Sequence, residues 1–112
     1  MNPVIRKDTA LVIVGPQGCG KSLLARELAA KAGVYVELDI SELSDEGMRK
    51  AVLSRMPKTL IVNGLPRTSE QKTLVKSLIT DPDAPCLVFC DNDPPRDAAL
   101  WRRFRFHRMQ TH

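Results

Sequence analysis

Aromatic side chains are scarce in this sequence: one Trp, one Tyr and three Phe in 112 residues. Aliphatic residues must therefore supply most of any core. Long apolar runs are also missing. Stretches such as Ala10 to Val14 and Leu60 to Val62 are strand-sized, far short of the roughly 20 residues that span a bilayer. The N-terminal Met1-Asn2-Pro3-Val4-Ile5-Arg6-Lys7 has neither the apolar segment nor the small-residue cleavage site of a secretory signal. There are only three cysteines, an odd number whose spacings do not suggest a disulfide framework. No second Cys or His pair stands at zinc spacing. These absences point to a cytoplasmic protein, or one of the host cytoplasm if the source is viral, with no membrane partner.

Hydrophobic content of 43% and charged content of 27% are those of an ordinary globular chain. The net charge of +4 is unevenly placed. Residues 1–95 carry 12 basic and 12 acidic side chains, whereas 96–112 carry Arg96, Arg102, Arg103, Arg105 and Arg108 against Asp97 alone. The excess charge is thus confined to the C-terminus, where it can meet nucleic acid or nucleotide phosphates.

Periodicity gives an alternation of strands and helices. Ala10–Val14 reads as a strand buried on both faces. Lys21 to Lys31 reads as a helix with Leu23, Leu24, Leu28 and Ala29 inward and Gly33 as its stop. Val34 to Leu38 is a second strand, ending at Asp39. A helix capped by Ser41 or Ser44 follows to about Met56, with Met48, Val52 and Leu53 inward. Thr59 to Val62 is a third strand, and Thr68 or Ser69 caps a helix to about Ile79. Cys86 to Cys90 is a fourth strand, with both thiols expected in the core. A short helix over Asp97 to Arg102 precedes a last strand near Phe104 to Met109. This pattern predicts an α/β fold of one domain over 1–112, with 1–8 and 110–112 as loose ends. It is a three-layer α/β/α sandwich around a five-stranded, mostly parallel sheet.

The pattern Gly15-Pro16-Gln17-Gly18-Cys19-Gly20-Lys21-Ser22 lies between an apolar strand and an amphipathic helix. Glycines allow backbone N–H groups to converge on a phosphate, and the helix that follows adds its positive end. Lys21 adds a charge for the β- and γ-phosphates, and the Ser22 hydroxyl can ligate Mg²⁺. Gly15 to Leu23 is therefore the expected nucleotide cradle of a P-loop fold, with a nucleotide and Mg²⁺ as ligands. Cys19 reads as a small filler in this loop, or as a thiol acidified by the helix N-terminus.

Further along, Cys86-Leu87-Val88-Phe89-Cys90-Asp91-Asn92-Asp93-Pro94-Pro95 and Asp97 to Phe104 resemble the sensor-1 and arginine-finger region of AAA+ ATPases and related viral helicases. The resemblance covers residues 10 to 109. It implies that Asn92 positions the attacking water. It also implies a homo-oligomer in which Arg102 or Arg103 reaches the γ-phosphate of a neighbouring subunit. Where that family ends its third strand in an Asp-Glu pair, this chain has Asn63 and Gly64. Asn63 keeps an oxygen for the metal shell but no charge, and Gly64 supplies no base. Asp91 is the candidate replacement as metal-shell ligand or base, with Asp39 a weaker one. The family's helical lid has no counterpart in these 112 residues.

Asn63-Gly64-Leu65-Pro66-Arg67-Thr68 with Gln71 is similar to a local motif of adenylate kinases. That resemblance implies Arg67 on a nucleotide phosphate and Gln71 on an acceptor adenine. Only one strand and one helix fit between the second and third strands, too little for that family's inserted acceptor-binding domain. Three readings thus stand. They are slow ATP hydrolysis in an AAA+-like oligomer, ATP binding coupled to assembly without hydrolysis, and nucleotide phosphotransfer. ATP is favoured over GTP, because no Asn-Lys-x-Asp guanine-reading motif occurs. Trp101, Phe104 and Phe106 among the arginines suit nucleic-acid stacking, but their spacing fits core packing better.

Overall fold

The computed structural model describes residues 3–92 and 102–109. The chain runs β1 (Ala10–Val14), α1 (Lys21–Ala32), β2 (Tyr35–Asp39), α2 (Ile40–Ser44), α3 (Glu46–Leu53), β3 (Thr59–Asn63), α4 (Ser69–Thr80), β4 (Cys86–Asp91) and β5 (Phe104–Arg108). The five strands form one sheet in the order β2-β3-β4-β1-β5, and every pairing is parallel.

This order dictates which helices lie on which face. The step from β1 to β2 crosses three positions in one direction, whereas β2 to β3 to β4 steps back in the other. Right-handed crossovers then put α1 on one face and α2, α3 and α4 on the opposite face. The packing agrees. On the α1 face, Ala25 and Ala29 are fully buried beside Leu11, Ile13, Ile61, Val88 and Cys90. On the other face Leu43, Val52, Val75, Leu78 and Ile79 pack with Val12, Leu60, Val62 and Phe89. Side-chain alternation along each strand divides its apolar residues between these two cores, which is why the central strands read as unbroken apolar runs. The expected three layers are therefore present.

The sparse aromatics are concentrated near β5. Phe89 is fully buried, and its ring centroid lies 5.6 Å from that of Phe104. Phe104 is buried and Phe106 packs against the same core, so these two rings serve packing. Trp101 and the expected helix over Asp97 to Arg102 lie outside the described residues, apart from Arg102 in the 3₁₀ turn that enters β5.

Between β2 and β3 the sequence reading needs correction. One helix was expected, but Asp45 divides it. Asp39 and Glu42 form a capping box on α2, and the Asp45 carboxylate accepts the Met48 N–H at 2.9 Å to start α3. Aspartate competes strongly for free helix-end amides, so these two acids are the caps rather than Ser41 and Ser44. The Ser44 hydroxyl instead donates back to the Ile40 carbonyl at 2.8 Å. Met48, in the first turn of α3, is 42% exposed rather than inward. Leu23 is 61% exposed, because it sits in the first turn of α1 at the open end of the sheet. On α4, Thr68 is the cap, accepting the Gln71 N–H at 3.1 Å.

Met56, just after α3, has a positive φ of 53° and is 83% exposed. A left-handed backbone costs an L-residue roughly 1–2 kcal/mol, and this side chain recovers little by packing. Met56→Gly is therefore expected to raise stability by about 0.5–1 kcal/mol, after allowing for the extra entropy of glycine in the unfolded chain. A higher urea midpoint at unchanged slope is the predicted readout.

Candidate functional site

The carboxyl ends of the parallel strands gather the chemistry-bearing residues. β1 leads into the glycine loop, and the neighbouring β4 ends at Asp91 and Asn92. From these adjacent strands the chain departs in opposite directions, towards β2 and towards β5. Such a reversal is where open α/β sheets form ligand crevices. The crevice here is an open cavity of about 610 Å³. It is lined by the loop residues Gln17, Gly18, Gly20, Lys21, Ser22 and Leu23 together with Asn63, Cys90, Asp91 and Asn92.

Loop conformation follows from the glycines. Gly18 and Gly20 have φ of 83° and 91°, a region that side chains strongly disfavour. Gly20 in this conformation starts α1 without a side-chain cap. The first backbone bond into the helix runs from Leu24 N to the Gly20 carbonyl at 3.0 Å. The N–H groups of Lys21, Ser22 and Leu23 therefore precede the intrahelical ladder and are available to an anion. The Lys21 ammonium folds across the loop and donates to the carbonyls of Gly15 at 2.7 Å and Pro16 at 2.9 Å. Its position over the loop is thus set before any phosphate arrives.

β4 stands between β1 and β3, and its end holds both adjoining loops. The Asp91 carbonyl accepts Gly15 N–H at 3.3 Å, and the Cys90 carbonyl accepts Gly64 N–H at 2.9 Å. The Asp91 carboxylate accepts Leu65 N–H at 3.1 Å through one oxygen and its neighbour Asn92 N–H at 2.6 Å through the other. Asp91 therefore clasps the turn after β3 to the end of β4. Sequence reasoning placed Asp91 at the site but did not foresee this clasp.

The conformation of Gly64 explains why an acid is absent at the first position after β3. Its φ is 96°, and a Cβ there would lie 3.0 Å from Ile40 Cγ2. The turn thus admits glycine for two separate reasons, backbone conformation and space. Asn63 has no such restriction and faces the cavity. Asp39, opposite Asn63 in the β2–β3 register, belongs to the α2 capping box.

The adenylate-kinase-like stretch has a structural explanation. The Gln71 side-chain oxygen accepts Arg67 N–H at 2.9 Å and Thr68 N–H at 3.2 Å. With Thr68 it completes a capping box on α4, the reciprocal arrangement that stabilises helix starts. Gln71 is thereby committed to a helix end. Arg102 and Arg103 are exposed and do not line the cavity of their own chain.

One ion pair near the site escaped the sequence reading. The Glu37 carboxylate on β2 is held in a two-pronged ion pair by Arg26 of α1, at 2.8 and 2.9 Å. Hydrogen bonding to Arg26 lowers the Glu37 pKa, with a further contribution from the Asn63 side chain. The only signal in the sequence was an acid inside an otherwise apolar strand. Cys90 is buried, and desolvation raises its thiol pKa to about 11, so it stays protonated and inert at neutral pH. Cys86 is only partly buried, short of the core position expected of it. A second cavity of about 440 Å³ continues around the loop, sharing Gln17 and Asn92 with the first and reaching Arg108 and Met109. No helix among the described residues is long and apolar enough to cross a membrane.

In comparisons with known proteins, the family described as ATPase family associated with various cellular activities (AAA) matches residues 11–92, well over half of the chain. No curated protein matches the sequence.

The turn geometry generates a prediction for the glycine. Gly64→Glu places a side chain on a left-handed backbone against Ile40, and should lower stability by about 1–3 kcal/mol. It should not raise ATPase activity above that of the parent protein. Thermal melting and phosphate release on the same preparation check both statements.

Proposed function

The chain belongs to the AAA family, ATPase-like nucleotide-binding modules, and we propose that it binds ATP with Mg²⁺ and hydrolyses it slowly. In this reading the protein works as an oligomer, and Arg102 or Arg103 completes the site of a neighbouring subunit. One observation carries the proposal. A single cavity unites the loop amides, Lys21 and Ser22 with Asn63, Asp91 and Asn92.

The residues divide the work as follows. Amides of Gly18 and of Gly20 to Leu23 bind the phosphates, and Lys21 leaves its loop carbonyls in part for the β- and γ-phosphate oxygens. The nucleoside extends into the second cavity, past Gln17 and Asn92 towards Arg108. Asn92 hydrogen-bonds the water that attacks the γ-phosphorus as the bond to the ADP oxygen breaks. A neighbour's arginine stabilises the charge on the departing phosphoryl oxygens. Ser22 and Asn63 fit a Mg²⁺ carried in by the phosphates: both offer neutral oxygens, and Mg²⁺ at such sites takes its charge balance partly from the nucleotide. Bound there, the ion offsets phosphate charge and polarises the γ-phosphoryl group.

Slow turnover follows from the missing base. Gly64 offers none, and both Asp91 oxygens already accept backbone N–H groups. The same observation favours a second reading, in which ATP is bound but not cleaved and its γ-phosphate couples assembly to nucleotide. In either reading Arg102 and Arg103 act across a subunit boundary, which agrees with their exposure.

Phosphate release measured across protein concentration separates the two. The main reading predicts specific activity that climbs with concentration, is abolished in Lys21→Ala and falls at least about 100-fold in Arg103→Ala or the Arg102→Ala/Arg103→Ala double variant. Nucleotide-driven oligomerisation with no release supports the second reading. Activity lost in Lys21→Ala but unchanged in the double arginine variant contradicts the trans-acting arginine.

A further inference from the structure

A crossover helix in a parallel sheet starts at the carboxyl ends of the strands and finishes at their amino ends. Its two termini therefore lie at opposite faces of the domain. Exposed side chains at these two faces match element by element. On α1, Leu23 in the first turn is 61% exposed and Val34, just past the last turn, is 66% exposed. On α3, Met48 in the first turn and Met56 just past the end are likewise exposed. Arg67, shortly before α4, is exposed at one face, and Asp81 and Asp83, which follow α4, are exposed at the other. Met56, Asp81 and Asp83 line a groove of about 400 Å³ together with Leu53, Pro57 and Pro85. The phosphate cavity opens beside the carboxyl end of β4, whereas the exposed Arg102 and Arg103 precede β5 at its amino end.

The five residues of β5, about 16 Å of extended chain, hold Arg102 and Arg103 away from the cavity of their own subunit. We propose that copies of this chain stack head to tail, the amino-end face of one subunit on the carboxyl-end face of the next. The inference rests on the trans-acting arginine above and names the surface that delivers it. Such stacking keeps the lateral order of the elements. Val34 meets Leu23 of the next subunit and Met56 meets Met48, apolar against apolar. Asp81 and Asp83 meet Arg67, while the negative end of one α4 meets the positive end of the next. Arg102 and Arg103 come over the phosphate cavity, where bound nucleotide supplies the opposite charge. The left-handed backbone and exposed side chain of Met56 are then explained by the contact made in the assembly. Because two different faces meet, the contact is heterologous, and copies close into a ring or continue as a filament.

Sedimentation velocity of the full chain, with and without Mg²⁺–ATP, tests the stacking, and urea unfolding of each variant controls for folding. Met56→Gly is expected to raise the urea midpoint yet weaken self-association at least about 10-fold, the worth of one buried apolar side chain. A role for Met56 confined to its own subunit would leave association unmoved. Arg67→Asp should also weaken association, and Arg67→Asp combined with Asp83→Arg should recover it, because the charges have exchanged faces. Met56→Gly that associates like the parent, or a double variant no better than Arg67→Asp, overturns the stacking. The trans-acting arginine is then judged separately, by the activity of Arg103→Ala. A parent chain that stops at a dimer overturns the stacking alone. One that stays monomeric at every concentration with Mg²⁺–ATP overturns both.

Discussion

The site depends on β4 lying between β1 and β3. From that position its last two residues hold both loops that make the cavity. The Asp91 carbonyl fixes the first residue of the glycine loop, while the Cys90 carbonyl and the Asp91 carboxylate fix the turn after β3. These bonds are individually modest, about 1 kcal/mol each for neutral groups and more where a carboxylate accepts. Their value lies in position. They set the distance between the phosphate loop and Asn63, and hence whether one ligand can touch both.

The same arrangement explains the unusual third strand. An acid following β3 would have to occupy Gly64, where a left-handed backbone and a close approach to Ile40 disfavour any side chain. The position before it holds Asn63, whose neighbour across the strand pair is already an acid. Slow chemistry is the expected consequence, and tight nucleotide binding is compatible with it.

Much of this was legible in the sequence. The strands of the central sheet read directly as apolar runs, because burial on both faces removes alternation. The glycine loop was readable because its backbone demands glycine at set positions. Local competition was less legible. Asp45 divides a helix that periodicity alone leaves whole, since a cap depends on one side chain finding an amide. The stretch from Asn63 to Gln71 looked like a nucleotide-reading motif, yet Gln71 caps a helix. Spacing cannot distinguish those uses of a glutamine. Glu37 and the Asp91 clasp escaped notice because they depend on strand order and register, which no local pattern carries.

The central claim is that one ligand spans the glycine loop, Asn63 and the end of β4. Amide chemical-shift mapping with Mg²⁺–ATP tests it most directly. The account predicts the largest shifts at Gly18 to Leu23, Asn63 and Cys90 to Asn92, with α4 and its cap at Thr68 and Gln71 little changed. Shifts confined to the loop, or centred on Arg67 to Gln71, would contradict it.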